Sequence, residues 1–446
     1  MRTDLALALL LTRGSDRREW WRVTLTAAGA ALATGFALAA VTLVAIRGHQ
    51  RVPMAHGLLD DPSERSGVVM ALVLLLMPVL GFLGQCARVG AVHRDRRLAA
   101  LRLAGATPAQ VRRIAALETG LACLAGSAVT TAFAVRYLGH RWSEPPVHLW
   151  VAWGLIAVAV PVLGGLVGVF ALRRVVASPL GLVRRTRPAA GRAPGAAVLV
   201  GAVTVFLIGL VLVPRRLGGF ETTRGFLVTV VVLTGLGAVR AVGAGARLIG
   251  RVLAERTGNP ATLIAAERLR DDPWAGARTH AAVLLVTVVG TAFVGVREVL
   301  LDDLAGRDPR TLAADLAFYT TGVDLTGAAI LIALALALSG LAVGTAESLA
   351  TRRRGLAAQV AAGVPRAVLG RALLLETALP LAPAVAVAGA GGFGIGLWYG
   401  LLVDGGTVPV LPLLVPVAVY ALCLLAAATS LPLLRRSMRP AELRRL

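Results

Sequence analysis

Lysine is absent from this chain: all 46 of its basic residues are arginine. A phosphate-binding loop of the ordinary kind needs a lysine to reach the β- and γ-phosphates, so the chain cannot hydrolyse ATP in that way. Cysteine is scarce, and Cys86, Cys123 and Cys423 each lie inside an apolar block, which leaves no disulfide framework. Charged residues make up 16% and aromatics 5%, against about 25% charged in a soluble domain. No Gly-x-Ser-x-Gly elbow, His-Glu-x-x-His helix or Cys-x-x-Cys pair is present. The six histidines show no metal-ligand spacing. The expectation is a protein that is not an enzyme and holds no cofactor of its own.

What fills the chain is hydrophobic sequence, 57% of 446 residues at a mean hydropathy of +0.76. It falls into blocks of about 20 residues, the length that crosses a bilayer. Ten candidate spans run roughly 24–46, 67–87, 114–135, 149–172, 196–213, 225–239, 281–296, 326–345, 372–397 and 411–434. The sixth is the least regular, because Arg240 and Arg247 interrupt its end.

The segments between these spans divide the arginines unevenly. One side holds 35 of the 46, including both termini. Positive charge is retained in the cytoplasm, so both termini are expected inside a bacterial plasma membrane crossed many times. The net charge of +22 is thus a topology signal, and nucleic acid is not an expected partner. Leu5 to Leu11, followed by Arg13, Arg17, Arg18 and Arg22, suits an interfacial helix on the inner leaflet. Trp20, Trp21, Trp142, Trp150, Trp153 and Trp398 lie near span ends, where indoles favour the headgroup level.

The strongest sequence feature is a duplication. Residues 94–121 (RDRRLAALRLAGATPAQVRRIAALETGL) align without gaps to 352–379 (RRRGLAAQVAAGVPRAVLGRALLLETAL), with 13 of 28 positions identical. Each copy lies between the second and third spans of a four-span unit. The expected plan is all-α: a four-span repeat over 1–185, a linking hairpin over 186–260, and a second four-span repeat over 261–446. An even number of spans separates the copies, so the repeats are parallel.

The duplicated segment carries its own local physics. Leu98, Leu101 and Ala104 recur at helical spacing. Gly105 suits a left-handed stop. Thr107 is a good N-cap, Pro108 suits the first helical position, and Gln110 completes a capping box. Helix, sharp turn and second helix then lead straight into a span. The second copy keeps Gly363 but has Pro365 in place of Thr107, a weaker cap. A stiff elbow of this kind suits contact with a cytoplasmic partner. Glu118 and Glu376 occupy equivalent places just within spans three and nine, where an ionisable group is costly and needs a partner. Arg113 and Arg371, five residues earlier, are the nearest in sequence.

The pattern RRLAALRLAGATPAQVRRIAALETGL resembles the cytoplasmic core of the FtsX/MacB-like permeases, the membrane subunits of type VII ABC systems. The segment 261–278 (ATLIAAERLRDDPWAGAR) is similar to the stretch before the second unit in actinobacterial members. The resemblance covers both four-span units. It implies a separate ABC ATPase subunit, working as a dimer and binding ATP and magnesium, docked on the cytoplasmic face. The coupling elements it implies are Leu98, Arg102, Gly105, Thr107 and Pro108 in the first copy, and Leu356, Gln359, Gly363 and Pro365 in the second. The implied function is export or extraction of an amphipathic compound. The alternative is a signalling subunit that controls an outer partner without moving substrate. Family members with large outer domains carry them where this chain has outer segments of about 29 and 20 residues, too short for a folded domain. A proton-coupled carrier is disfavoured, because no span carries an acid at mid-membrane.

Overall fold

The computed structural model describes residues 17–49, 59–60, 62–86, 100–101, 103–142, 145–171, 220–307, 316–403 and 408–432. Among these residues every regular element is a helix, and nine helices are long and apolar enough to cross a membrane. They correspond to nine of the ten expected spans. The expected fifth, 196–213, lies outside the described residues, as do the segment Leu5 to Leu11, Leu98 and Arg102. The protein is an all-α, multi-pass membrane protein.

The chain divides into two compact units, Met1–Ala189 and Ala190–Leu446. In the first, α1 (Arg17–Ala45) packs against α2 (Pro62–Cys86), α3 (Pro108–Arg141) and α4 (Val147–Ala171), and α3 packs against α4. Lipid tails provide no hydrophobic drive between spans, so close packing and interhelical hydrogen bonds must hold them. Gly126 of α3 lies directly against the Ala27 carbonyl of α1, leaving no room for a Cβ. Thr130 Oγ1 donates to the Ala31 carbonyl at 3.2 Å, and Ser127 Oγ donates to Ala157 on α4, also at 3.2 Å. At the far end, Trp153 Nε1 donates to Thr42 Oγ1 at 3.1 Å, over a cluster of Leu38, Leu138 and Leu149.

The second unit begins with α5 (Phe220–Arg256), followed by α6 (Pro260–Asp271), α7 (Trp274–Gly306), α8 (Leu316–Thr351), α9 (Arg353–Ala361) and α10 (Arg366–Leu402). A short 3₁₀ turn, Leu411–Leu413, then leads into α11 (Leu414–Ala428). α7 packs against α5, α8, α10 and α11, the same relation that α1 has to α2, α3 and α4. Small residues again set the approach. A Cβ on Gly392 of α10 would fall 2.5 Å from the Val288 carbonyl of α7, and the Gly295 and Gly396 backbones face each other.

Several helices run beyond the expected span ends. Arg240 and Arg247 do not end the sixth span. They lie inside one continuous helix of 37 residues, about 55 Å long, which exceeds the roughly 30 Å hydrocarbon core. The segment Arg297–Asp324 lies between the expected spans, yet its described residues are helical up to Gly306 and again from Leu316. Glu298 in that segment is half-buried, and its carboxylate accepts from the N–H groups of Val410 and Leu411 at 3.0 and 2.9 Å, capping the turn before α11. Trp153 and Trp398 are buried among helices rather than placed as interface anchors, whereas Trp20 and Trp150 are exposed.

Candidate functional site: two elbows, and an ion-pair node in the second unit

Around their glycines, the described parts of the duplicated segments fold into the same local shape. In the first, Gly105 has φ +98° and in the second Gly363 has φ +92°, the left-handed region that a Cβ disfavours. The backbone bonds around them match pair by pair. Ala104 N–H donates to Ala100 and Ala362 N–H to Ala358, both at 2.9 Å. Ala106 N–H donates to Leu101 at 2.9 Å and Val364 N–H to Gln359 at 3.0 Å. This six-to-one bond beside a left-handed glycine closes a helix end with its carbonyls satisfied. Two residues later the next helix starts in each copy, at Pro108 and at Arg366.

The starts differ in their caps. Thr107 Oγ1 accepts from the Gln110 N–H at 3.3 Å, and Gln110 Oε1 accepts from the Thr107 N–H at 2.8 Å, forming the full capping box with Pro108 in the first turn. Pro365 offers no side-chain bond. The second elbow is held instead from below. Leu356 of α9, only 2% exposed, packs with Leu349, Leu369 and Leu373, flanked by Ile264, Val360 and Val364. Leu356 is therefore a core residue of the elbow and not a surface contact. Under the first elbow Leu101 and Ala106 rest on Val111, Ile114 and Ala115.

The exposed tips are Leu103, Ala104, Gly105, Thr107, Pro108 and Ala109 in the first copy, and Ala361, Ala362, Gly363, Pro365, Arg366 and Ala367 in the second; Gln359 is half-buried. Leu103, 67% exposed, was missed by the sequence reading. It lies off the apolar face that Leu98, Leu101 and Ala104 define, and that offset is the signal that could have found it.

Glu376 joins three elements. Its carboxylate accepts from Arg352, before α9, at 2.7 and 3.1 Å, and from Arg268 on α6 at 3.2 Å. Arg371, the expected neighbour, is exposed. Five residues along a helix place two side chains more than a quarter-turn apart, so chain proximity did not predict the pair. One turn beyond Glu376, buried Pro380 interrupts α10, with Pro383 after it. Pro380 has no N–H to give the Glu376 carbonyl, which loosens the ladder there. Glu118, the equivalent acid on α3, is 5% exposed and also has a polar partner. α3 contains no internal proline.

α6 reaches this node because Gly250 of α5 lets it approach closely. A Cβ there would meet the Ala266 carbonyl at 2.9 Å. Asn259 caps α6, its Oδ1 accepting from the Ala261 N–H at 2.9 Å. Among the described residues no group of histidine, cysteine or carboxylate side chains could hold a metal. No family model matches the chain, and no curated protein matches it in sequence.

Proposed function

We propose that this chain is the membrane permease subunit of an ABC transporter, in which a separate ATPase dimer docks on the two elbows and drives export or extraction of an amphipathic compound. The observation that supports this reading most is the repeated elbow: the same positive-φ glycine and the same backbone bonds, 258 residues apart. Each elbow continues without a loop into a span of 34 or 37 residues. A helix of that length is about 50–55 Å, so a push on the exposed tip is carried to the opposite membrane face. Glu376 ties the second elbow to α6, giving the push a second arm.

The test is reconstitution with an ABC ATPase that co-purifies with this chain. Gly105→Val and Gly363→Val each strain a left-handed residue by about 1–2 kcal/mol, while the spans keep their sequence. Both variants are expected to insert and to bind the ATPase, yet to lose most of the substrate-stimulated turnover. Unchanged stimulation in both would leave the elbows as topology loops only.

A further inference from the structure

The C-terminal half of α5 carries three arginines on one face. Arg240, Arg247 and Arg251 recur at spacings of seven and four, so they fall within about 40° of one another around the helix. All three are exposed. Among the described residues no carboxylate pairs with any of them. The same side of the helix exposes apolar groups: Leu236 at 51% and Leu248 at 61%.

Depth makes this arrangement informative. From Gly225 to Val239 the helix is uncharged, a run of about 22 Å, shorter than the roughly 30 Å hydrocarbon core. Arg240 therefore sits at the edge of the core, and its side chain must reach toward the headgroups. Arg247 and Arg251 follow about 10 and 16 Å further along the axis, through the headgroup layer. Among the described residues no carboxylate forms an ion pair with these guanidinium groups, Glu255 one turn beyond Arg251 included, which leaves them available to an anion at the headgroup level.

Arg247 is also held in place. A Cβ on Gly243 would collide with the Trp274 ring at 2.5 Å. The ring fills that notch, and the Arg247 guanidinium lies over it, 5.8 Å from a ring centroid. The charge is thus presented on a rigid platform, at the level where tryptophan favours the interface.

We infer that this face of α5, with Trp274 beside it, is a binding site for an anionic phospholipid in the leaflet at the C-terminal end of α5. The phosphate is held by Arg247 and its neighbours Arg240 and Arg251, and the acyl chains lie along Leu236. A guanidinium matches a phosphate with two parallel N–H bonds, and one arginine near the surface contributes a factor on the order of fivefold to anionic-lipid attraction. The inference requires a membrane protein but no ATPase.

The test uses the full chain in neutral detergent, exchanged with phosphatidylglycerol or phosphatidylcholine, with retained lipid counted by native mass spectrometry. Wild type is expected to retain phosphatidylglycerol at least tenfold over phosphatidylcholine. Arg247→Gln should cut that preference several-fold, and the Arg240→Gln/Arg247→Gln/Arg251→Gln variant should abolish it. Arg136→Gln, on an exposed residue of α3, should leave it unchanged. Retention unaffected by the triple change, or no preference in wild type, overturns the inference. Equal competition by inorganic phosphate at matched concentration also overturns it, since the site would then bind a free anion and not a lipid. Because the three arginines are exposed, folding of the single variants provides the control for the triple one.

Discussion

At Gly105 and Gly363 an added Cβ would meet no neighbouring atom; the whole cost of a side chain there is backbone strain at positive φ. This separates the two roles a glycine can have, since Gly392 and Gly126 lie in tight helix contacts instead. Thr107 and Gln110 were legible as a cap because every partner lies within three residues. Glu376 was legible as a costly acid, yet its partner Arg268 is 108 residues away in the chain, and no local pattern encodes that. The node should behave as a unit. Glu376→Gln leaves Arg268 and Arg352 facing a weaker acceptor, with an expected loss of about 1.5–3 kcal/mol. In a thermal melt of the purified protein, Arg352→Glu should destabilise by like-charge repulsion, and adding Glu376→Arg should recover only part of that loss, since the new cation at 376 would still face Arg268. If the double exchange is no better than the worse single change, the pair holds nothing together.

Element ends were less legible than element centres. The apolar runs that identify spans are imposed by the bilayer, so their positions follow directly from hydropathy. Outside the bilayer a helix needs no apolar run, and α5 and α7 continue through Arg240, Arg247, Glu298 and Asp303. Their extension depends on contacts with other elements: Trp274 beside α5, and the turn at Val410 bound by Glu298. The burial of Trp153 and Trp398 is of the same kind, since position near a span end does not reveal which face a neighbour covers. The contact between α7 and α10 gives a prediction at this scale. Gly392→Leu places a side chain where a Cβ already lies 2.5 Å from the Val288 carbonyl. An overpacked contact costs about 1–3 kcal/mol, so the melting temperature should fall and the yield of monodisperse protein should drop. Gly258→Leu, at an open position, should change neither. Equal behaviour of the two variants would mean that α7 and α10 do not meet as closely as described.

At the scale of the whole molecule, the nine long apolar helices among the described residues and the two like-built elbows are the observations to be joined. The arginine distribution in the sequence is the ground for expecting the elbows to face the cytoplasm, and the absence of lysine excludes an ordinary phosphate-binding loop in this chain. A motor supplied from outside the chain is the reading proposed above, with the exposed tips as its proposed contact points. Single cysteines at Leu103 and Ala361, in a cysteine-free version of the chain reconstituted with a co-purifying ABC ATPase, test this most directly. A short bifunctional cross-linker should join both positions to the ATPase, with a yield that changes between nucleotide-free and ATP-bound states, while a cysteine at Arg307 gives no product. Cross-linking at neither tip, or equal yield from Arg307, would contradict the account.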